Sequence, residues 1–292
     1  MSVLEIVRET ETGDHVRDLR LRSAAMGREV SARILTPPGW RPGDSDRWPV
    51  LYLLHGSSDG PRSWTTHTGI AEHASRAGVL AVLPEAGRVG YYTDWQVPDR
   101  AGTIPRWETF HLVEIRQLLE NRYGASDTRI AAGLSMGGYG ALMYAVRNPG
   151  LFRTVASFSG LMHISRRGWS SILAALMLKE GERPGTIWGP RRRSAQRWAA
   201  NDPYLLADRL RGTDIYLAAG DGSRVPGEER VPGMGLIERL SRSMSEDLAT
   251  KLFDLDIPVT TDFGPGTHFW TTWRRMVDSF GPYLRSSVRA AA

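Results

Sequence analysis

Residues 128–149, TRIAAGLSMGGYGALMYAVRNP, change from one structural pattern to another within a few positions. RIAAGL has the length and apolar character of a buried strand, and the residues from Met136 onward read as a helix that stops before Pro149. Between them stands Gly133-Leu134-Ser135-Met136-Gly137, a G-x-S-x-G element with no room for a loop. A strand delivered straight into a helix needs a sharp turn. Side chains at 133 and 137 would collide with the neighbouring strand and helix, so glycine is required at both. This context places Ser135 at the carboxyl edge of a sheet as a nucleophile, and the helix start behind it favours a developing oxyanion.

The rest of the chain supplies the sheet. PVLYLLHG (49–56), AGVLAVLPE (77–85), FRTVASFSG (152–160) and TDIYLAAG (213–220) read as buried strands, and DIPVTTDF (256–263) as an edge strand. Helical stretches follow at 107–124, 136–149, 233–252 and 267–285, and residues 19–40 read as a leading β-hairpin. Buried strands alternating with helices predict an α/β chain, a mostly parallel central sheet with helices on both faces. One such domain is expected over 1–292. Residues 161–208, rich in Trp, Arg, Gly and Pro, interrupt the alternation as a cap-like insertion, in which SSILAALMLKEG forms a helix. The cap's tryptophans either line a pocket or pack the cap onto the sheet.

A serine hydroxyl needs a base. His268, in GPGTHFWTTW between the last strand and the last helix, lies where this architecture returns one to the nucleophile. The imidazolium needs a carboxylate, and chain order places it after TDIYLAAG, where GDGSRVPGEERVPG offers Asp221, Glu228 and Glu229. Position after the strand favours Asp221. The backbone N–H groups of Met136 and Ser57 are the expected oxyanion donors, and His55 shapes the oxyanion loop. No cysteine is present, which excludes disulfides and a thiol nucleophile, and no histidine pair has metal-ligand spacing, so neither metal nor cofactor is expected. Of 37 basic residues all but Lys179 and Lys251 are arginines, scattered among acids. Arg191-Arg192-Arg193 reads as a solvated loop or an anion-facing patch, and no nucleic-acid module is recognisable.

LYLLHG, YYTDW (91–95), RWETF (106–110), GLSMGG, IWGP (187–190) with NDP (201–203), and GPGTHFWTTW run in order through the chain. Together they resemble the VYLLDG, FYSDW, KWETF, GLSMAG, MWGP with NDP, and NGTHSWEYW of the α/β-hydrolase esterases grouped with the mycobacterial mycolyltransferases. The resemblance implies Ser135 as nucleophile and His268 as base. The family's acid, in GNGTPNE, matches GDGSRVPGE with two residues inserted, which moves the preference to Glu228 with Asp221 as alternative. It also implies that His55, Ser58 and Trp270 face substrate, although His55 and Ser58 replace the carboxylate and arginine that hold trehalose in the family.

The expected activity is therefore acyl transfer or ester hydrolysis through an acyl-enzyme. The donor is an acyl ester or thioester, and the acceptor is water, an alcohol or a sugar. A small-ester carboxylesterase or an S-formylglutathione hydrolase-like enzyme is the alternative within enzymes, and a catalytically silent binding protein the alternative outside them. No signal peptide and no membrane span are read in the chain, which favours the cytoplasm although the resembled family is exported.

Overall fold

Strands β1 (Glu5–Gly13), β2 (Val16–Ser23), β3 (Arg28–Leu35), β4 (Trp48–Leu54), β5 (Leu80–Pro84), β6 (Ala125–Leu134), β7 (Thr154–Phe158), β8 (Asp214–Gly220) and β9 (Val259–Gly264) lie in one sheet. Its order is β1-β2-β3-β5-β4-β6-β7-β8-β9. The computed structural model describes residues 4–43 and 46–290; residues 1–3, where a leader would begin, lie outside the described residues. Every pair from β5 through β4 to β9 is parallel, and the pairs β1–β2, β2–β3 and β3–β5 are antiparallel. The sheet is mostly parallel, as the alternation of the sequence predicts, and the fold is the α/β-hydrolase one that the resemblance implies.

Parallel strands need crossovers, and these are helical. α1 (Ser63–His67) and α2 (Ile70–Ala77) join β4 to β5. α3 (Trp107–Thr109), a π-helical turn (Phe110–Ile115) and α4 (Arg116–Arg122) lead into β6, and α5 (Met136–Arg147) leads out of it. α6 (Trp169–Lys179), α7 (Ala195–Ala199) and a 3-10 turn (Ala207–Leu210) occupy the crossover from β7 to β8; α8 (Met234–Asp254) and α9 (Trp270–Arg289) complete the chain. Residues alternate between faces along each strand. Val50, Tyr52 and Leu54 of β4 join one core with α5, α6 and α8, while Leu51 and Leu53 join the other with α1, α2 and α9. Both faces are covered, which is why the central strands read as unbroken apolar runs.

The antiparallel end differs. On β2, Leu19 and Leu21 are buried while Arg20 and Arg22 face out, the alternation that the sequence shows. β1 goes beyond the predicted hairpin. Its EIVRETETG is mostly polar, with Ile6 half-buried against the core, and it is joined by the backbone ladder to β2 and by ion pairs such as Arg22–Glu5 at 2.7 Å. Every strand from β4 to β9 except β5 ends beside the candidate site described next, so the carboxyl edge of the sheet is its platform.

Candidate active site

Ser135 links β6 to α5 with φ 52° and ψ −117°, a backbone conformation that side-chain-bearing residues rarely adopt. The glycines around it permit this. A β-carbon on Gly133 would lie 2.0 Å from the Gly137 carbonyl oxygen, and one on Gly137 would lie 2.0 Å from the Leu54 carbonyl oxygen. The start of α5 therefore abuts both its own strand and the loop after β4. The Ser135 N–H is anchored to the Phe158 carbonyl of β7 at 2.9 Å.

The Ser135 hydroxyl lies 2.8 Å from His268 Nε2, and His268 Nδ1 lies 2.7 Å from Glu238 Oε2. The imidazole is 7% exposed and Glu238 is fully buried. A carboxylate partner on Nδ1 fixes the tautomer: Nδ1–H donates to Glu238, and Nε2 is left to accept the serine proton. Glu238 Oε1 is in turn held by the Ser159 hydroxyl and the Gly220 N–H, both at 2.6 Å, and Trp273 Nε1 donates to the Ser159 oxygen at 3.1 Å. Each oxygen of this buried carboxylate is thus occupied, the condition under which such a charge is tolerated.

Glu238 corrects the expected position of the acid. The sequence points to the loop after β8, but the carboxylate that meets His268 comes from α8, four residues past its first residue, Met234. Glu228 is buried one step away. It accepts hydrogen bonds from Thr267 N–H at 3.2 Å, Thr267 Oγ1 at 2.5 Å, Thr272 Oγ1 at 3.2 Å and Val225 N–H at 3.1 Å. Burial pushes its carboxyl up, but these donors outweigh it and hold it below the usual carboxylate range. Glu228 therefore buttresses the loop that carries His268, whose Nδ1 is taken by Glu238 instead. Asp221 is exposed and turned onto Ser223, whose hydroxyl and N–H lower its carboxyl; Glu229 is exposed as well. A signal for Glu238 did exist. Along α8 the buried positions are Glu238, Ser241, Met244, Ser245, Leu248 and Leu252, so this glutamate occupies the inward phase of the helix, where a carboxylate needs a reason to be.

Of the other expected residues, Ser57 and Met136 offer N–H groups that meet no acceptor among the described residues, as a helix start and an adjoining loop would leave them. His55 does not face substrate. It is 1% exposed; Nδ1 meets the Gly56 carbonyl at 2.8 Å and Nε2 accepts the Ala86 N–H at 3.0 Å. Burial pulls it down to about 4, so it stays neutral. With both ring nitrogens held by backbone, it shapes the loop after β4 and corrects the expectation of substrate contact. Ser58 is exposed at φ 65°, and its hydroxyl donates to Glu180 beyond the end of α6 at 2.6 Å. Trp270 is half-buried, stacked on His67 with ring centroids 4.5 Å apart. The tryptophans at 169, 188 and 198 are at most 5% exposed and pack the β7–β8 crossover.

One residue had no sequence signal. Asp59 follows the oxyanion loop, and a β-carbon built on Gly56 would lie 3.3 Å from Asp59 Oδ2 and 3.5 Å from the Ser135 β-carbon. Burial pushes its carboxyl up to about 6, against the lowering effect of the Ser63 hydroxyl. Among the described residues no group of histidine, aspartate and glutamate side chains could hold a metal ion, and no helix is long and apolar enough to cross a membrane.

Known proteins share this frame. The Esterase family pattern matches residues 23–279. The diacylglycerol acyltransferase/mycolyltransferase Ag85B of Mycobacterium intracellulare is 30% identical over 288 residues, covering 95% of this chain and 84% of the relative. Esterase Rv1288 of Mycobacterium tuberculosis is 30% identical over 227 residues, 74% of this chain but 48% of its own length. Among solved structures, an S-formylglutathione hydrolase from Agrobacterium tumefaciens superposes with a TM-score of 0.75 at 17% identity, over 97% of this chain and 99% of that one. Mycobacterium tuberculosis MPT51 (FbpC1) does so with 0.73 at 20% identity, over 99% and 100%. At these identities the two structures speak for the fold.

Proposed function

Because the chain belongs to the Esterase family, we propose that it is a serine-dependent acyl-ester hydrolase or acyltransferase with the triad Ser135, His268 and Glu238. The observation that carries this is the unbroken relay of 2.8 Å and 2.7 Å from hydroxyl to imidazole to carboxylate.

In the forward step His268 Nε2 takes the Ser135 proton as Oγ bonds to the acyl carbonyl carbon. The carbonyl π electrons move onto oxygen, where the Met136 and Ser57 N–H groups receive them. Glu238 holds Nδ1–H and offsets the imidazolium charge. Collapse of the tetrahedral adduct expels the alcohol or thiol, which leaves with the proton from Nε2. Water or an acceptor alcohol then repeats the sequence on the acyl-enzyme, with Nε2 now taking the proton of the incoming nucleophile. Removing one oxyanion donor from such a site typically costs about 3 kcal/mol. The Ser58–Glu180 contact supports reading residues 161–208 as a cap over one side of the site, within one hydrolase domain.

Hydrolase and transferase differ only in the acceptor. Both activities are named among the similar proteins: acyltransfer in the Ag85B relative and hydrolysis in the S-formylglutathione hydrolase structure. A fluorophosphonate probe tests the shared part. Covalent label on Ser135 of the folded protein, absent in Ser135→Ala, is expected; a folded wild-type chain that takes no label would place it among silent binding proteins. Acyl products formed from a p-nitrophenyl ester with and without added sugar or alcohol then separate transfer from hydrolysis.

A further inference from the structure

α6 buries a single stripe. Trp169, Leu173 and Met177, spaced by four, enter the core, although residues 172–178 read ILAALML without a polar break. The opposite face of the helix therefore carries Ile172 at 42% and Leu178 at 58% exposure, with Ala175 exposed between them. A second exposed pair lies in the loop before α3: Val97 at 43% and Ile104 at 45%. That loop is tied to the crossover, because the Arg183 guanidinium donates to the Pro98 and Asp99 carbonyls at 3.4 Å and the Gln96 N–H meets the Thr186 carbonyl at 3.3 Å. Half of the eight exposed large apolar side chains among the described residues thus belong to two joined segments.

Charge tells what such a face suits. Residues 161–208 contain eight arginines and lysines against four acids, one of them the fully buried Asp202. The excess of four positive charges is most of the chain's formal +5. A segment that combines exposed apolar tips with a net positive charge suits the headgroup layer of an anionic bilayer. Basic residues flank α6 in sequence on both sides, Arg166 and Arg167 before it and Arg183 after it, with Lys179 in its last turn, a charge for which a purely apolar protein groove would have no use.

We infer that the outward face of α6, with the loop it pins, docks the chain onto an anionic lipid surface. The Ser58–Glu180 contact then puts the mouth of the site beside the membrane plane. The inference stands whether or not the triad turns over esters, because its readout is binding.

Sedimentation of the full chain with sucrose-loaded vesicles tests it, using phosphatidylcholine alone and phosphatidylcholine mixed with phosphatidylglycerol. Pelleting is expected only with the mixed vesicles, and it falls as salt rises. The pair Ile172→Ser and Leu178→Ser should weaken partition by roughly tenfold, and Lys179→Glu by roughly fivefold or more. Phe253→Ser, 79% exposed on the far end of α8, should change nothing. Far-UV circular dichroism and Tm should stay at the wild-type values in all of these variants, which reports that they fold. Absence of pelleting with phosphatidylglycerol, equal loss in Phe253→Ser, or binding untouched by the α6 changes would overturn the inference. So would a wild-type elution as a dimer that Leu178→Ser converts to monomer, which makes this face a contact between copies.

Discussion

Glu238→Gln is the substitution that separates the proposed triad from the one expected with an acid in the loop after β8. The carboxylate is bonded on both sides. Oε1 receives the Ser159 hydroxyl and the Gly220 N–H, and Oε2 receives His268 Nδ1–H. A glutamine satisfies the first pair only by keeping its carbonyl oxygen there, because a backbone N–H cannot turn away. Its NH2 then faces Nδ1–H, donor against donor. The ring escapes by moving its proton to Nε2, which now points N–H at Ser135 Oγ and accepts nothing. Flipping the amide instead strands the buried Gly220 N–H at a cost of about 1–3 kcal/mol. Either way the base is lost and so is the anion that offsets the imidazolium. The corresponding change in a serine protease lowers kcat by about 10⁴, so a fall of roughly 10³ to 10⁴ is expected here, about 4 to 5.5 kcal/mol of barrier. Initial rates on a short-chain p-nitrophenyl ester measure it, with far-UV circular dichroism to certify the fold. Glu228→Gln in the same assay should keep kcat within roughly tenfold while lowering Tm, since it loosens the Thr267–Thr272 anchor without touching the ring. A Glu238→Gln enzyme that keeps more than about a tenth of its activity, beside an inert Glu228→Gln, would refute the reasoning.

Acid should unfold the chain through two neutral histidines. Burial pulls His55 down to about 4 and His111 to about 3, whereas an unfolded histidine titrates near 6.5. Below that pH the unfolded chain binds the extra protons, so stability falls as pH drops from 6.5 toward 4, by something on the order of 3 kcal/mol between pH 7 and pH 5; urea midpoints that do not move over this range contradict it. Asp59 acts in the opposite direction. Its native carboxyl, raised to about 6, keeps a proton that the unfolded chain releases near 3.8, so its burden grows as pH rises through that window and persists above it. Asp59→Asn should therefore raise stability at pH 7 by about 1–2 kcal/mol and leave it unchanged at pH 4; an equal gain at both pH values would show that the charge is not the cause.

That Ser135 and His268 meet is legible in the sequence because both stand where periodicity breaks. Ser135 lies at the junction of an apolar strand and a helix, and His268 in the short turn between the last strand and the last helix; in each place local chemistry leaves few alternatives. The carboxylate at His268 Nδ1 is not legible in that way. Glu238 is separated from β8 by a loop and then embedded in an ordinary helical run, so its pairing with His268 depends on how α8 packs against β8, a long-range fact. Glu228, chosen instead, is one residue contact away, because the loop that holds it does pack beneath Thr267. His55 shows the complementary failure. Its place after β4 was read correctly, but a ring bonded to Gly56 and Ala86 on either side has nothing left for a substrate. β1 escaped notice because a strand at the sheet margin, mostly polar, has no alternation to betray it.

The bend at Ser135 carries a consequence for any attempt to toughen the molecule. Holding a residue with a β-carbon at φ 52° costs the native state about 1–3 kcal/mol. Glycine would relieve much of that at once and would silence the chain. Selection for thermal endurance alone, by a screen blind to turnover, would be drawn toward this position, so the sturdiest descendant of the sequence and the working one are different molecules.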